Sequence, residues 1–262
     1  MLRSLSPQRR RVALVTAALV GLLIASLVVT AIVRATTGTV DPVPQDQPGP
    51  VLLVPGYGGR VASLDPLVAA LRAAGREVVV VERLGDGTGD LRAEAEHLRD
   101  VAEQTRARYD APSVDVIGYS AGGVVARLWV RDYGGAEVAR RVLTLGSPHH
   151  GTSQAALGRE LAGGCPTACE QLVPDSDLLR RLNAGDETPD GPRWATVRST
   201  GDQVVTPVDS AALDGAVNIL VQDVCPGSSA SHGELPGDPV TLAALTTVLG
   251  VGPPRPPASV AC

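Results

Sequence analysis

The chain has 262 residues, 44% apolar and 19% charged, which suits one large folded domain or two small ones and excludes an intrinsically disordered chain and argues against a repeat array or a mini-fold. Its net charge is −5, all 23 basic residues are Arg, and no Arg cluster stands beside interleaved aromatics, so nucleic acid is excluded as a partner. Phe is absent and aromatics amount to 2%, so the core is built from Val, Leu, Ile and Ala.

Arg3, Arg9, Arg10 and Arg11 precede an uncharged stretch from Val12 to Val33, 22 residues that as a helix span roughly 33 Å, the reach of a bilayer core. The stretch is longer than the apolar region of a secretory signal and ends in Thr30-Ala31-Ile32-Val33-Arg34, so an uncleaved signal anchor is expected over residues 12–34. Four Arg before it and one just after place residues 1–11 in the cytoplasm and the rest outside, as a single-pass membrane protein. Cleavage near Ala31 or Ala35, releasing a secreted chain, is the alternative. Residues 35–50 are Pro-rich with no apolar period and read as a linker, the folded domain spans 51–252, and a Pro-rich tail over 253–262 ends on Cys262.

Val51-Leu52-Leu53-Val54, stopped by Pro55-Gly56, has the wholly apolar character of a strand buried on both faces of a parallel sheet. A helix follows, capped at Ser63, with Leu64, Leu67, Val68 and Leu71 on one face and Gly75 after it. The pattern then predicts a strand over Glu77–Glu82, an amphipathic helix over Leu91–Arg108 and a strand over Val114–Gly118. It continues with a helix over Gly122–Tyr133, strands over Arg141–Gly146, Trp194–Thr200 and Ala216–Gln222, and a last helix over Pro239–Leu249. This alternation specifies an α/β fold, a mainly parallel sheet of about six strands with helices on both faces.

Ligands of such sheets bind beyond the carboxyl ends of the strands, and the residues there are chemically rich. Gly118-Tyr119-Ser120-Ala121-Gly122 fits G-x-S-x-G between a strand and a helix, where small neighbours permit the sharp turn that exposes a nucleophilic serine. By itself the string could merely allow close helix packing. A serine hydroxyl needs a base, and the base needs an acid to fix its tautomer. Of the four His, His97 sits among helix charges, and His149 and His150 precede most candidate acids. His232, late in the chain between the last strand and the last helix, is the candidate base. Asp202, just past a strand end, is favoured as the acid over Asp223, while Asp209 and Asp214 read as turn or cap residues. The oxyanion formed by attack on a carbonyl needs backbone N–H donors, and Ala121, at a helix N-terminus, and Tyr57, in the glycine-rich loop after the first strand, are placed to supply them. A dinucleotide fingerprint starting at Gly56 and Gly58 fails at Val61, where its third Gly belongs.

With these residues in hand, the chain resembles the small serine lipases and esterases of the α/β-hydrolase superfamily, bacterial extracellular triacylglycerol lipases in particular, from about Val51 to Gly250. The likeness is carried by VLLVPGYGG, VDVIGYSAGGVVAR, VLTLGSPHHGT, GDQVVTPVDSAALDGAVNILVQ and SHGELPGDP, in the family's order. It implies a small α/β-hydrolase fold, Ser120 as nucleophile, Asp202 as acid, His232 as base, Tyr57 and Ala121 N–H as the oxyanion hole, and neither metal nor cofactor. The implied activity is carboxylic ester hydrolysis of lipid or other acyl esters through an acyl-enzyme. The sequence departs from the family at Pro55, where a His usually precedes the glycine of the first loop. The His149-His150-Gly151-Thr152 segment reads as a tight turn near the active-site rim, and Leu157, Leu161, Leu172 and Val173 as the aliphatic wall of an acyl pocket. An extracytoplasmic acyltransferase and a catalytically silent acyl-binding envelope protein are the competing classes, and a monomer is expected.

Four Cys outside the cytosol suggest two disulfides. Cys165 and Cys169 are close enough to pair locally on a helical turn, which leaves Cys225 with Cys262. A zinc site is the rival, but C-x-x-x-C has no His nearby in sequence.

Overall fold

The computed structural model describes residues 7–37, 40–162 and 164–262, which form two compact units, Met1–Val40 and Asp41–Cys262. The first contains one helix, α1 (Pro7–Thr37), whose described apolar side chains, Leu19, Leu22 and Leu23 among them, are exposed. Among the described residues no helix is long and apolar enough to cross a membrane. The signal anchor expected over 12–34 is therefore not supported; the side chains of residues 12, 13, 17, 27 and 30–34, and residues 1–6 of the expected cytoplasmic segment, lie outside those described.

The second unit is an α/β sandwich. Its six strands are β1 (Val51–Val54), β2 (Val78–Val80), β3 (Val114–Tyr119), β4 (Ala139–Leu145), β5 (Arg193–Arg198) and β6 (Val217–Leu220). They lie in the order β2-β1-β3-β4-β5-β6, every pairing parallel. The expected strand over 77–82 is shorter, and the one over 216–222 gives way after Leu220 to a short helix, α8 (Val221–Val224). Strand residues alternate between two cores. Leu52, Val54, Val116 and Val142 pack under α3 (Leu91–Tyr109) and α4 (Ala121–Asp132), whereas Val51, Leu53, Ile117 and Leu143 pack under α2 (Asp65–Ala73) and α9 (Pro239–Leu249). Burial of both faces is why β1 reads as an unbroken apolar run. Helix starts are fixed locally: Asp90 accepts from Arg92 N–H at the head of α3, and Asp238 from Val240 N–H ahead of Pro239 in α9. Three short helices, α5 (Ser153–Ala162), α6 (Thr167–Gln171) and α7 (Asp177–Leu182), occupy the connection between β4 and β5.

At the amino edge of the sheet, fully buried Asp115 lies 2.6 Å from both Arg76 and Arg140. Arg140 Nη1 also donates to the carbonyls of Gln45 and Gly250, and Arg76 Nη2 to that of Gly49. One ionic cluster thus ties the start of the domain to the end of α9. Both expected disulfides are present, Cys165–Cys169 and Cys225–Cys262, and all four sulfurs are used. The zinc alternative falls with them, and among the described residues no cluster of His, Cys, Asp and Glu could hold a metal.

Candidate active site

The chain runs from β1 outward to β2 and then back to β3 on the other side of β1, so the crevice between the carboxyl ends of β1 and β3 is the topological switch point of the sheet. Ser120 sits there, between β3 and α4, with φ 54° and ψ −127°. This backbone is strained for a residue with a side chain, and its neighbours must make room. A Cβ on Gly118 would lie 2.5 Å from Gly123 Cα, and one on Gly122 2.2 Å from the Val54 carbonyl oxygen. The glycines of the pentapeptide therefore let α4 fold back hard against β1 and β3.

The structure brings three of the sequence-predicted residues into one line. His232 Nε2 is 3.0 Å from Ser120 Oγ, and His232 Nδ1 is 2.7 Å from Asp202 Oδ2. Asp202, 3% exposed, accepts on its other oxygen from the N–H groups of Val204 and Val205 at 2.8 and 2.9 Å. Those amides fix the carboxylate plane and stabilise its charge. His232 opens a short 3-10 turn (His232–Gly237) whose start is closed by a capping box between Ser231 and Glu234. The Tyr119 hydroxyl donates to the His232 carbonyl at 3.1 Å, and the two rings lie 5.1 Å apart. Burial, reinforced by the Asp202 charge, pushes the Tyr119 phenol up to about 12, so it stays a donor.

The competing acids and histidines are elsewhere. Asp223 is exposed in α8, Asp214 is exposed, and Asp209 pairs with Arg198. His97 Nε2 lies 3.0 Å from the Glu82 carbonyl, and His150 Nε2 lies 2.7 Å from Glu187. His149 is fully buried beside Thr144 Oγ1, and burial, aided by the Arg127 and His150 charges, holds it well below 6.5 and hence neutral.

Ala121 is the first residue of α4, and Tyr57, 43% exposed, follows Gly56 in the turn after β1. Neither N–H donates to a described backbone acceptor. A cleft of about 580 Å³ opens over Ser120 and His232, lined by Gly56, Tyr57, Arg60, Ser63, Tyr119 and Val204 among others. The expected acyl wall is not part of it. Leu172 and Val173 are buried in the core under α3 and α4, Leu157 is 49% exposed on α5, and the Leu161 side chain lies outside those described.

Two supports escape a reading of the sequence. Gly146, with φ +50°, lies directly beneath the Asp202–His232 pair, where a Cβ would come within 3.2 Å of both. Arg83, buried beyond β2, reaches the carbonyls of Pro55 and Gly56. The glycine in VLTLGSP and an arginine just past an apolar strand are faint signals, since both act across long sequence separations.

The sequence profile described as the alpha/beta hydrolase fold matches residues 49–160. No curated protein sequence matches the chain. Among solved structures, lipase B of Aspergillus fumigatus superposes with TM-score 0.69 at 20% identity, over 79% of this chain and 54% of that one. The mature lipase BlEst2 of Bacillus licheniformis gives 0.65 at 16% identity over 81% and 95% of the two chains. The product of the lin2722 gene of Listeria innocua gives 0.57 at 14% over 82% and 99%. This chain thus spans about half the length of the Aspergillus lipase. The matched segment, the parallel sheet order with a serine at its switch point and these structural likenesses agree, and the chain has the alpha/beta hydrolase fold.

Proposed function

We propose that the chain is a serine carboxylic ester hydrolase working through an acyl-enzyme. The observation that carries this reading is the continuous hydrogen-bonded line Ser120–His232–Asp202, at 3.0 and 2.7 Å, opening onto a solvent-accessible cleft. In this reading His232 Nε2 accepts the Ser120 proton as Oγ attacks the ester carbonyl. Asp202 holds the imidazole with Nδ1–H toward itself and stabilises the imidazolium. The N–H groups of Tyr57 and Ala121 receive the oxyanion, the latter helped by the positive end of α4. His232 then protonates the leaving alcohol, and a water activated by the same imidazole releases the acid.

Cleft shape supports esters of short acyl chains over long ones. Its apolar lining is limited to Tyr57, Tyr119, Ala62 and Val204, and among the described residues the aliphatic wall lies elsewhere. An open cleft also admits water to the acyl-enzyme, which favours hydrolysis over transfer to another acceptor. Every group named comes from one chain, in keeping with a monomer. The two disulfides support an extracytoplasmic, secreted protein, with residues 51–252 as its hydrolase domain. The test is turnover of nitrophenyl acetate, butyrate and palmitate by the full chain. Rates falling from butyrate to palmitate, and loss of turnover in Ser120→Ala, are expected. Full turnover by Ser120→Ala would overturn the reading, and none by the intact chain would leave the silent acyl-binding alternative.

A further inference from the structure

The peptide between Gly56 and Tyr57 carries an N–H that the proposed reaction needs aimed at the oxyanion. In a loop of Pro55-Gly56-Tyr57-Gly58-Gly59 that peptide is free to rotate, because glycine tolerates either orientation. What holds it is a buried arginine. Arg83 Nη1 donates to the Pro55 carbonyl at 3.0 Å and to the Gly56 carbonyl at 3.2 Å. Its guanidinium is held in turn by Glu94 on α3, Nε to Oε2 at 2.9 Å, and both side chains are 2% exposed. Glu94 is itself oriented by the Leu84 N–H, which donates to its carboxylate. The Gly56 carbonyl accepts a further bond from Gly59 N–H at 3.1 Å, so it is tied from two sides.

A trans peptide is planar, with its C=O and N–H pointing in opposite directions. Fixing the Gly56 carbonyl on Arg83 therefore turns the Tyr57 N–H away from the guanidinium. The far side of this peptide is the cleft, since a Cβ on Gly56 would touch Ser120 Cβ at 3.0 Å and Tyr57 lines the cavity with Ser120. Rotating the peptide would break both bonds to the Gly56 carbonyl and would present an oxygen, not a donor, to the reacting carbonyl.

We propose that Arg83, set by Glu94, is the positioning residue that aims the Tyr57 N–H into the oxyanion hole. This inference rests on the ester-hydrolase reading of Ser120. It also accounts for the tolerance of Pro55 where the lipase-like pattern has His, because the loop is held through its carbonyls rather than through a side chain at that position.

The experiment uses the full chain and its variants Arg83→Met and Arg83→Lys, with kcat and KM for nitrophenyl butyrate. Affinity is measured for a trifluoromethyl ketone, which adds to Ser120 Oγ and places an oxyanion in the hole, and for the matching unfluorinated ketone, which does not. Arg83→Met is expected to lower kcat about 10- to 100-fold with KM within about twofold, a part of what loss of an oxyanion donor costs. The trifluoromethyl ketone should weaken by the same factor while the plain ketone is unaffected, a split that general loosening of the fold does not produce. Arg83→Lys keeps a charge opposite Glu94 and should recover part of both losses. Where Arg83→Met does not fold, the lysine variant carries the comparison, and its kcat and fluoroketone affinity must fall together. Unchanged kcat and fluoroketone affinity in a folded variant, with Ser120→Ala inactive, overturns the role of Arg83 alone. Absence of turnover and of fluorophosphonate labelling in the unmodified chain overturns the hydrolase reading and this inference with it.

Discussion

Gly146 offers a sharp test of how the proposed acid and base, Asp202 and His232, are supported. In Gly146→Ala the new methyl would sit 2.6 Å from Leu235 Cδ1, 3.1 Å from Asp202 Oδ2 and 3.2 Å from His232 Nδ1, at a backbone φ of +50°. The left-handed backbone alone costs about 1 kcal/mol for an alanine, and forcing a methyl against fully buried Leu235 adds about 1 to 2 kcal/mol. Leu235 can swing aside, but the carboxylate and imidazole must each give by a few tenths of an ångström. A 1 Å misplacement of a catalytic group costs on the order of 100-fold, so a shift of this size should lower kcat about 5- to 10-fold. Gly75→Ala is the control, because Gly75 has φ +72° and nothing within 4 Å of the added methyl. It should lose about 1 kcal/mol of stability by the same backbone effect and no activity. Urea midpoints and kcat for nitrophenyl butyrate, measured on both variants, decide the matter. If Gly146→Ala keeps the kcat of Gly75→Ala, the pair does not depend on the space above this glycine and the reasoning fails.

Other outcomes follow from the same geometry. Asp202→Asn should lower kcat about 10⁴-fold with little change in melting temperature, since the asparagine can favour the wrong imidazole tautomer; a loss under tenfold, read from initial rates, would contradict the assigned acid. Cys262→Ser opens a disulfide spanning 37 positions, which in the chain-entropy model removes about 4 kcal/mol, visible as a lower melting temperature in calorimetry; an unchanged transition would show that the tail contributes nothing. His149 is held neutral when folded but takes a proton below 6.5 when unfolded, so stability is full above that value and falls as pH drops through it. Urea denaturation at pH 7.5 and 5.5 should show a loss of about 1 kcal/mol from this residue that His149→Gln lacks.

What the sequence made legible follows from which interactions are local. Val51–Val54 announced a doubly buried strand, because its periodicity is set by its own neighbours, and the pentapeptide around Ser120 announced the turn, because its glycines answer to a strained φ in the same segment. Asp202 and His232 were reached by position relative to strand ends, yet only the fold shows why Asp223 is turned away: the strand ends at Leu220 and α8 carries Asp223 into solvent. The acyl wall was misplaced because an aliphatic residue reads alike whether it faces a cleft or a core, and Leu172 and Val173 face the core. Arg83 and Gly146 were illegible for another reason. Their partners, Pro55 and Gly56 for one and Asp202 and His232 for the other, lie tens of residues away, and nothing at either position repeats or alternates.

The ionic knot of Asp115, Arg76 and Arg140 also bears on how the domain can be handled. It pins Gln45 and Gly49 at the amino edge of the sheet, while Ser120 stands at the carboxyl edge, one six-residue strand or roughly 20 Å further along β3. A bead, a sensor surface or a fused carrier joined ahead of residue 45 therefore grips the domain by its rear, leaving the mouth of the cleft turned outward. The chain has no Lys, so amine-directed coupling meets no side-chain amine anywhere near that mouth. Immobilisation at that rear edge of the domain should give a population of molecules that all face the solution the same way.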